Sequence, residues 1–317
     1  MAFIYETTVD PYATNNSHSL AIQLVGHNKR ILEVGCATGY FTKALTEQGC
    51  SVVGIEIDGD AAVVASQWAE RVVVGDLDAG TLWADLEGEQ FDAVTFGDVL
   101  EHLRRPLETL QAAVRLLKPS GFVVISVPNI AHVDVRLTLL RGEFPYRSTG
   151  LLDRTHVHFF TLESLRQMIV DAGLVMIETS RVVIPVFQSE LPVDRECVDQ
   201  SIVETVMEDP EAESYQYVVK AALNDGSLAV AGLAQRVTEL SDQLHDEEVR
   251  TALLHQEIDA LRQRQLESAA STNDSSTAEA EAYRRQYEAL LNTKTFRVVA
   301  PLRKAYGRVR RGRQARD

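Results

Sequence analysis

Residues 30–43, Arg-Ile-Leu-Glu-Val-Gly-Cys-Ala-Thr-Gly-Tyr-Phe-Thr-Lys, constrain the fold more than any other stretch. An apolar run from Ile31 to Val34 predicts a buried strand that contains one acid, Glu33. Gly35 and Gly39 bound a short loop, and a helical pattern follows from Phe41 to Leu45. Strand, glycine loop and helix make a ligand site of nucleotide type. Glycines let a ligand approach the backbone, and a helix N-terminus presents free amide N–H groups. A dinucleotide fingerprint needs G-x-G-x-x-G. Ala37 and Tyr40 stand where its second and third glycines belong, so that fingerprint fails.

The rest of the first two thirds repeats the strand–helix alternation. Strands are predicted at 51–57, 71–75, 91–96 and 122–127. Helices are predicted at 19–25, 60–68, 106–117 and 161–172, the last with Thr161 as N-cap, and two late strands at 175–184 and 215–222. Apolar strands separated by helices imply a parallel sheet covered on both faces, with the late pair antiparallel at one edge. Residues 186–213 read as an acidic, irregular insertion between those two strands.

The form E-x-G-x-x-x-G of Glu33, Gly35 and Gly39 resembles the first motif of the class I S-adenosylmethionine (SAM)-dependent methyltransferases. The resemblance extends over about residues 20–222. It implies a Rossmann-like α/β fold with a seven-stranded, mostly parallel sheet and one antiparallel edge strand. It also implies that the loop wraps the methionine end of SAM, with Glu33 anchoring the loop or the ligand's ammonium. Glu56 ends the second strand, and only an acid there offers acceptors to both ribose hydroxyls. Asp76 ends the third; in the family a side chain here takes the adenine amino group, with Leu77 packing on the ring. Cys36 and Gly97 complete the implied cofactor wall. Acids at the ends of consecutive strands line one crevice, where ligands bind in open α/β sheets.

Acceptor chemistry points to two places. Asp98, Glu101 and His102 have i, i+3, i+4 spacing, which on a helical turn would share one face. Two carboxylates and an imidazole can hold a divalent ion, Mg²⁺ or Zn²⁺. The pattern [D/E]-x-x-E-H resembles that of the ubiquinone-pathway O-methyltransferases and the small-RNA 2′-O-methyltransferases. There a second histidine joins from a later loop; here that is His156, with His158 as the alternate. Without a metal, Glu101 would cap and His102 or His156 would take the hydroxyl proton, which suits an imidazole with a pKa near 6.5. Arg154 either pairs with Asp153, lies on the surface or meets an anionic group.

Residues 226–267 carry apolar side chains at 3-4 spacing, from Val230, Leu233, Val237, Leu240 and Leu244 to Leu254, Ile258 and Leu261. About five heptads, two with poor seam residues at Glu247 and Thr251, predict a left-handed coiled coil that makes a homo-oligomer. Residues 268–280 are Ser/Thr/Ala-rich and read as a flexible linker, and 281–317 as a short helix with a basic amphipathic tail. The chain's net charge is −15, yet residues 292–317 carry +8, so the remainder is strongly acidic. That disfavours nucleic acid as a partner. The tail suits an anionic membrane face or a glycosyltransferase complex, and its Phe-Arg-x-x-x-Pro-Leu-Arg resembles a tail on bacterial surface-polysaccharide transferases. Three cysteines without CxxC spacing, no leader pattern and no long apolar run predict a cytoplasmic protein, peripheral to the inner membrane face if the tail binds there. The expected reaction is methylation of a sugar hydroxyl in a surface polysaccharide or glycolipid. The alternatives are a quinone or phenol acceptor, or a non-catalytic scaffold with a vestigial fold.

Overall fold

The computed structural model describes residues 9–224, 228–271 and Arg285. Seven strands form one sheet: β1 (Arg30–Val34), β2 (Ser51–Glu56), β3 (Arg71–Val74), β4 (Phe91–Gly97), β5 (Leu117–Pro128), β6 (Leu174–Val183) and β7 (Ser214–Leu223). Their order is β3-β2-β1-β4-β5-β7-β6. The first five pair in parallel, and β7 runs antiparallel to both β5 and the rim strand β6. Strand order reverses between β1 and β4, which opens a crevice at the carboxyl ends of those strands.

Helices α1 (Ser17–Val25), α2 (Tyr40–Glu47), α3 (Gly59–Ala65), α4 (Pro106–Val114), α5 (Val133–Leu140), α6 (Leu162–Asp171) and α7 (Gln200–Met207) surround the sheet. Ile22, Val25, Phe41 and Leu45 of α1 and α2 bury against Ile31, Val52 and Val124 on one face. Leu110 of α4 and Leu165 and Ile169 of α6 pack with Leu32, Val94, Val123 and Val219 on the other. Sheet residues are therefore apolar on both sides, as continuous β-branched runs require. Thr161 caps α6 in a reciprocal box with Ser164, as the sequence predicts.

Three elements differ from expectation. The strand from Leu117 begins within the predicted helix 106–117, because Leu117 pairs with Phe91 before the register shifts at Ala93 and Phe122. α5 has no counterpart in the sequence reading: Val133, Asp134, Val135, Leu137 and Thr138 are all buried, so no polar stripe marks it as a helix. The insertion is not wholly irregular, since α7 lies within it, capped by Asp199. Its apolar residues pack against α5: Val203 and Ala212 cluster with Val133 and Leu137, and Leu191 with Val135, Leu151 and Leu152.

A second unit begins at Leu240, inside the single helix α8 (Leu228–Ser271). Residues 268–271, expected in the linker, are helical. Val237, Leu240 and Leu244 of the predicted seam are exposed, while Ile258 and Leu261 are buried. The remaining linker and the basic tail lie outside the described residues. Among the described residues, no helix is long and apolar enough to cross a membrane.

Candidate active site

The crevice is built first by the loop after β1. Gly35 and Gly39 have φ of +75° and +82°, where a side chain is strained. A Cβ on Gly39 would sit 2.7 Å from Ala65 Cα, so this glycine also lets the loop rest on α3. Ala37 adopts φ +45° as well, and its N–H donates to Glu56 Oε2 at 2.7 Å. Glu56 Oε1 accepts from the N–H groups of Ile57 and Asp58, each at 2.9 Å. A carboxylate offers about four acceptor sites, and three are filled by backbone. Glu56 thus pins the loop to the end of β2 and keeps about one site for a ligand hydroxyl rather than the two expected.

Glu33 is buried and accepts from Thr42 Oγ1 at 2.6 Å, which ties β1 to helix α2. Burial lifts its carboxyl to about 8, against the relief given by Thr42. Asp76 is exposed, accepts from Asp78 N–H at 2.9 Å and caps a 3₁₀ turn at Leu77–Ala79, with half-buried Leu77 packed on the core. Exposed Ile57 follows β2, and exposed Val74 ends β3. Cys36 is a correction. Its side chain is buried against Gly54, its N–H donates to Ile55 O, and burial pushes its thiol up. It offers a ligand neither a thiolate nor a free donor. Gly97 is exposed, and a Cβ there would meet nothing within 4 Å.

A cleft open to solvent lies between α1 and the ends of β1 and β4, with Glu33, Gly35, Gly97, Asp98, His18 and Tyr40 on its walls. His18 and Tyr40 were not anticipated. The His18 ring meets Tyr40 edge-on at 5.2 Å, and burial lowers its pKa. Glu33, Glu56 and Asp76 lie at or just beyond the carboxyl ends of β1, β2 and β3, along one edge of the sheet.

The second cluster brings together Glu101, His102 and His156, whose ligating atoms lie within 4.8 Å of one another. Val99 to His102 form a 3₁₀ turn rather than an α-helical one, and Asp98 has φ +56°. That backbone turns Asp98 out of the predicted shared face. Its Oδ1 accepts from Ser126 Oγ at 3.1 Å and from Gln216 Nε2, so Asp98 stands outside the group. Burial raises the Asp98 carboxyl to about 6, opposed by those two donors. His158 is excluded too, since its Nε2 faces Arg104 O at 3.3 Å.

Glu101 is 1% exposed, and neither carboxylate oxygen has a partner; Nδ1 of His156 is likewise buried and unpartnered. Burial, then the Asp98 and Asp153 charges, hold Glu101 well above the usual carboxylate range. Burial, then neighbouring His102, lowers His156, which leaves it a neutral imidazole at pH 7. The rings of His102 and His156 meet at 4.8 Å. His102 Nδ1 lies 3.2 Å from Thr155 Oγ1, and that hydroxyl donates to Asp153 Oδ1 at 2.7 Å. The backbone N–H groups of Val157 and His158 both donate to Glu101 O, which docks the His156 loop onto the turn. Two imidazoles and an orphaned buried carboxylate fit a divalent ion, and the nitrogen donors suit Zn²⁺ better than Mg²⁺. Arg154 forms no ion pair among the described residues; its Nε donates to Arg147 O at 3.3 Å.

The Methyltransferase domain family matches residues 16–179, about half of the chain. A ubiquinone biosynthesis O-methyltransferase of Psychrobacter arcticus is 33% identical over 154 residues, 46% of this chain and 58% of that protein. One of Hydrogenovibrio crunogenus is 30% identical over 154 residues, 48% of this chain and 64% of that protein. The chain thus spans less than two thirds of the length of each. A solved SAM-dependent methyltransferase from Archaeoglobus fulgidus superposes with a TM-score of 0.45 at 20% identity, covering 66% of this chain and 95% of that one.

Proposed function

The chain belongs to the class I SAM-dependent methyltransferases, and from that premise we propose that it methylates a hydroxyl oxygen on a small-molecule ring. The observation that carries the reading is the juxtaposition of a buried, unpartnered Glu101 carboxyl with His102 and His156, with Glu101 and His102 on the turn that follows β4 at the carboxyl edge of the sheet. When bound, SAM supplies an electrophilic methyl on a sulfonium. The chain then has to position the acceptor oxygen and remove its proton. Glu33 would face the ammonium end, Glu56 a ribose hydroxyl and Asp76 the adenine edge.

A divalent ion held by Glu101, His102 and His156 would lower the pKa of the acceptor hydroxyl. In the metal-free alternative His156, kept neutral by burial, takes the proton, and the nearby Asp153 carboxylate stabilises the imidazolium. A quinone or phenol is the first acceptor, in keeping with the names of the similar proteins. A sugar hydroxyl of a surface glycan is the second, supported by the sequence of the basic tail. The exposed seam of α8 supports homo-oligomerisation.

Methyl transfer from tritiated SAM to phenolic and glycoside acceptors tests the reading, with calorimetry of SAM binding in parallel. Binding by the wild type is expected, and its absence would return the chain to the scaffold alternative. Under the metal reading, EDTA and Glu101→Gln each reduce turnover by about 100-fold or more while SAM binding is retained. Full activity in excess EDTA would leave His156 as the base.

A further inference from the structure

An aromatic strip leads away from the histidine pair. The His156 ring lies 6.2 Å from Phe159, Phe159 lies 5.9 Å from Phe144, and Phe144 lies 5.1 Å from Tyr146, each pair close to perpendicular. The middle ring is fixed from below, because Phe144 packs against buried Leu151, Leu152 and Leu191. The outer rings are exposed, Tyr146 at 59% and Phe159 at 37%, and Val157 between His156 and Phe159 in sequence is 54% exposed. Exposed Trp68 has Lys43 Nζ over its ring at 4.9 Å, whereas no cation lies over Tyr146 or Phe159 among the described residues. A lone exposed aromatic is ordinary, but a connected strip that begins at a reactive imidazole is a surface with a use. The loop thus presents flat apolar faces beside His156.

We propose that Tyr146 and Phe159, held by Phe144, form a stacking subsite for the ring of the methyl acceptor. The acceptor class is then a hydroxylated six-membered ring with one apolar face, set so that a ring hydroxyl reaches His156. This rests on the methyltransferase reading above and adds which part of the acceptor is recognised and by which side chains. Two sources share that chemistry. A phenol offers a π-face, and a pyranose offers a face of C–H groups; both pack on an aromatic ring by dispersion and quadrupole attraction. An acyclic polyol offers hydroxyls without the face.

Ligand-observed NMR on the full chain, with and without S-adenosylhomocysteine, tests this with catechol, methyl β-D-glucopyranoside and glycerol as probes. At least one ring probe is expected to bind and glycerol to bind far more weakly. Tyr146→Ala and Phe159→Ala should each weaken the ring by roughly fivefold, with Tyr146→Phe near wild type. Catechol alone would assign the phenol source and the glucoside alone the sugar source. Binding of neither ring, equal binding of glycerol, or unchanged ring affinity in both alanine variants would overturn the subsite. Calorimetric loss of S-adenosylhomocysteine binding would instead count against the methyltransferase reading, and the ring measurement made without it stands apart from that outcome.

Discussion

Glu33 shows how one buried side chain links the stability of this fold to pH. A carboxyl lifted from 4.5 to about 8 by burial is folded most favourably as the acid. Its folded pKa exceeds its unfolded one, so the stability tied to it is complete below about pH 4.5 and lost as pH rises through about 8. Glu33→Gln keeps an acceptor for Thr42 and removes the titration. The difference in unfolding free energy between the variant and wild type should grow in the variant's favour from pH 5 to 9, by on the order of 3–5 kcal/mol. Urea denaturation at the two pH values measures it; a difference that stays constant would mean that Glu33 is ionised in the fold throughout. If Glu33 ionises against the ammonium of SAM, as proposed above, SAM binding should also weaken in the same variant, because the amide cannot take the charge that a neighbouring cation favours.

Glu101 and His102 were legible in the sequence through residue type and spacing, whereas His156 came only from the family resemblance, because nothing in spacing links it to a turn 54 residues earlier. Asp98 was misplaced for a reason that spacing cannot show: its left-handed backbone breaks the helical turn that the i, i+4 pattern assumes. Thr155, Ser126 and Gln216 were not legible either. Each acts on a histidine or on Asp98 only because folding brings distant segments together.

At the scale of elements, the strands were readable as apolar runs and the insertion was not. It packs against the segment that precedes His156. Glu190 Oε1 accepts from Leu151 N–H at 2.7 Å, and its Oε2 accepts from the Tyr215 hydroxyl at 2.9 Å. A Cβ on Gly150 would come within 2.1 Å of Glu190 Oε1, so the loop closes tightly over this carboxylate. Leu191 beside it joins the cluster under Phe144. These contacts tie the insertion to the loop that delivers His156. Glu190→Ala should therefore lower kcat/KM by about 10-fold, as expected for losing a charge-assisted hydrogen bond, with the Kd for SAM unchanged. Calorimetry beside a turnover assay separates the two; an equal loss of SAM affinity would show a general loosening of the fold. The insertion's acidic composition concealed this role, because each stabilising contact reaches a segment remote in sequence.

For the molecule as a whole, α8 continues without a break through the boundary at Leu240. Val237, Leu240 and Leu244 expose a stripe at heptad spacing, which in water favours self-association. The full chain is expected to sediment as an oligomer and a chain ending at Asn224 as a monomer. If both sediment alike, the stripe is not the cause. Asn224 is a sound end point, since its N–H donates to Gly173 O and β7 is complete before it.

The position of β7 bears on how the protein is made. The last candidate active-site residue, His156, emerges from the ribosome early, and the matched family segment ends at Thr179. Yet among the described residues β6 pairs with no strand but β7, and Gln216 and Tyr215, which hold Asp98 and Glu190, lie on β7 itself. A nascent chain therefore carries Glu101, His102 and His156 for some sixty residues of synthesis without the strand that completes the sheet. During that interval β5 presents an unpaired apolar edge, the state in which such a chain is most exposed to wrong pairing. Completing β7 both assembles the site and closes that window.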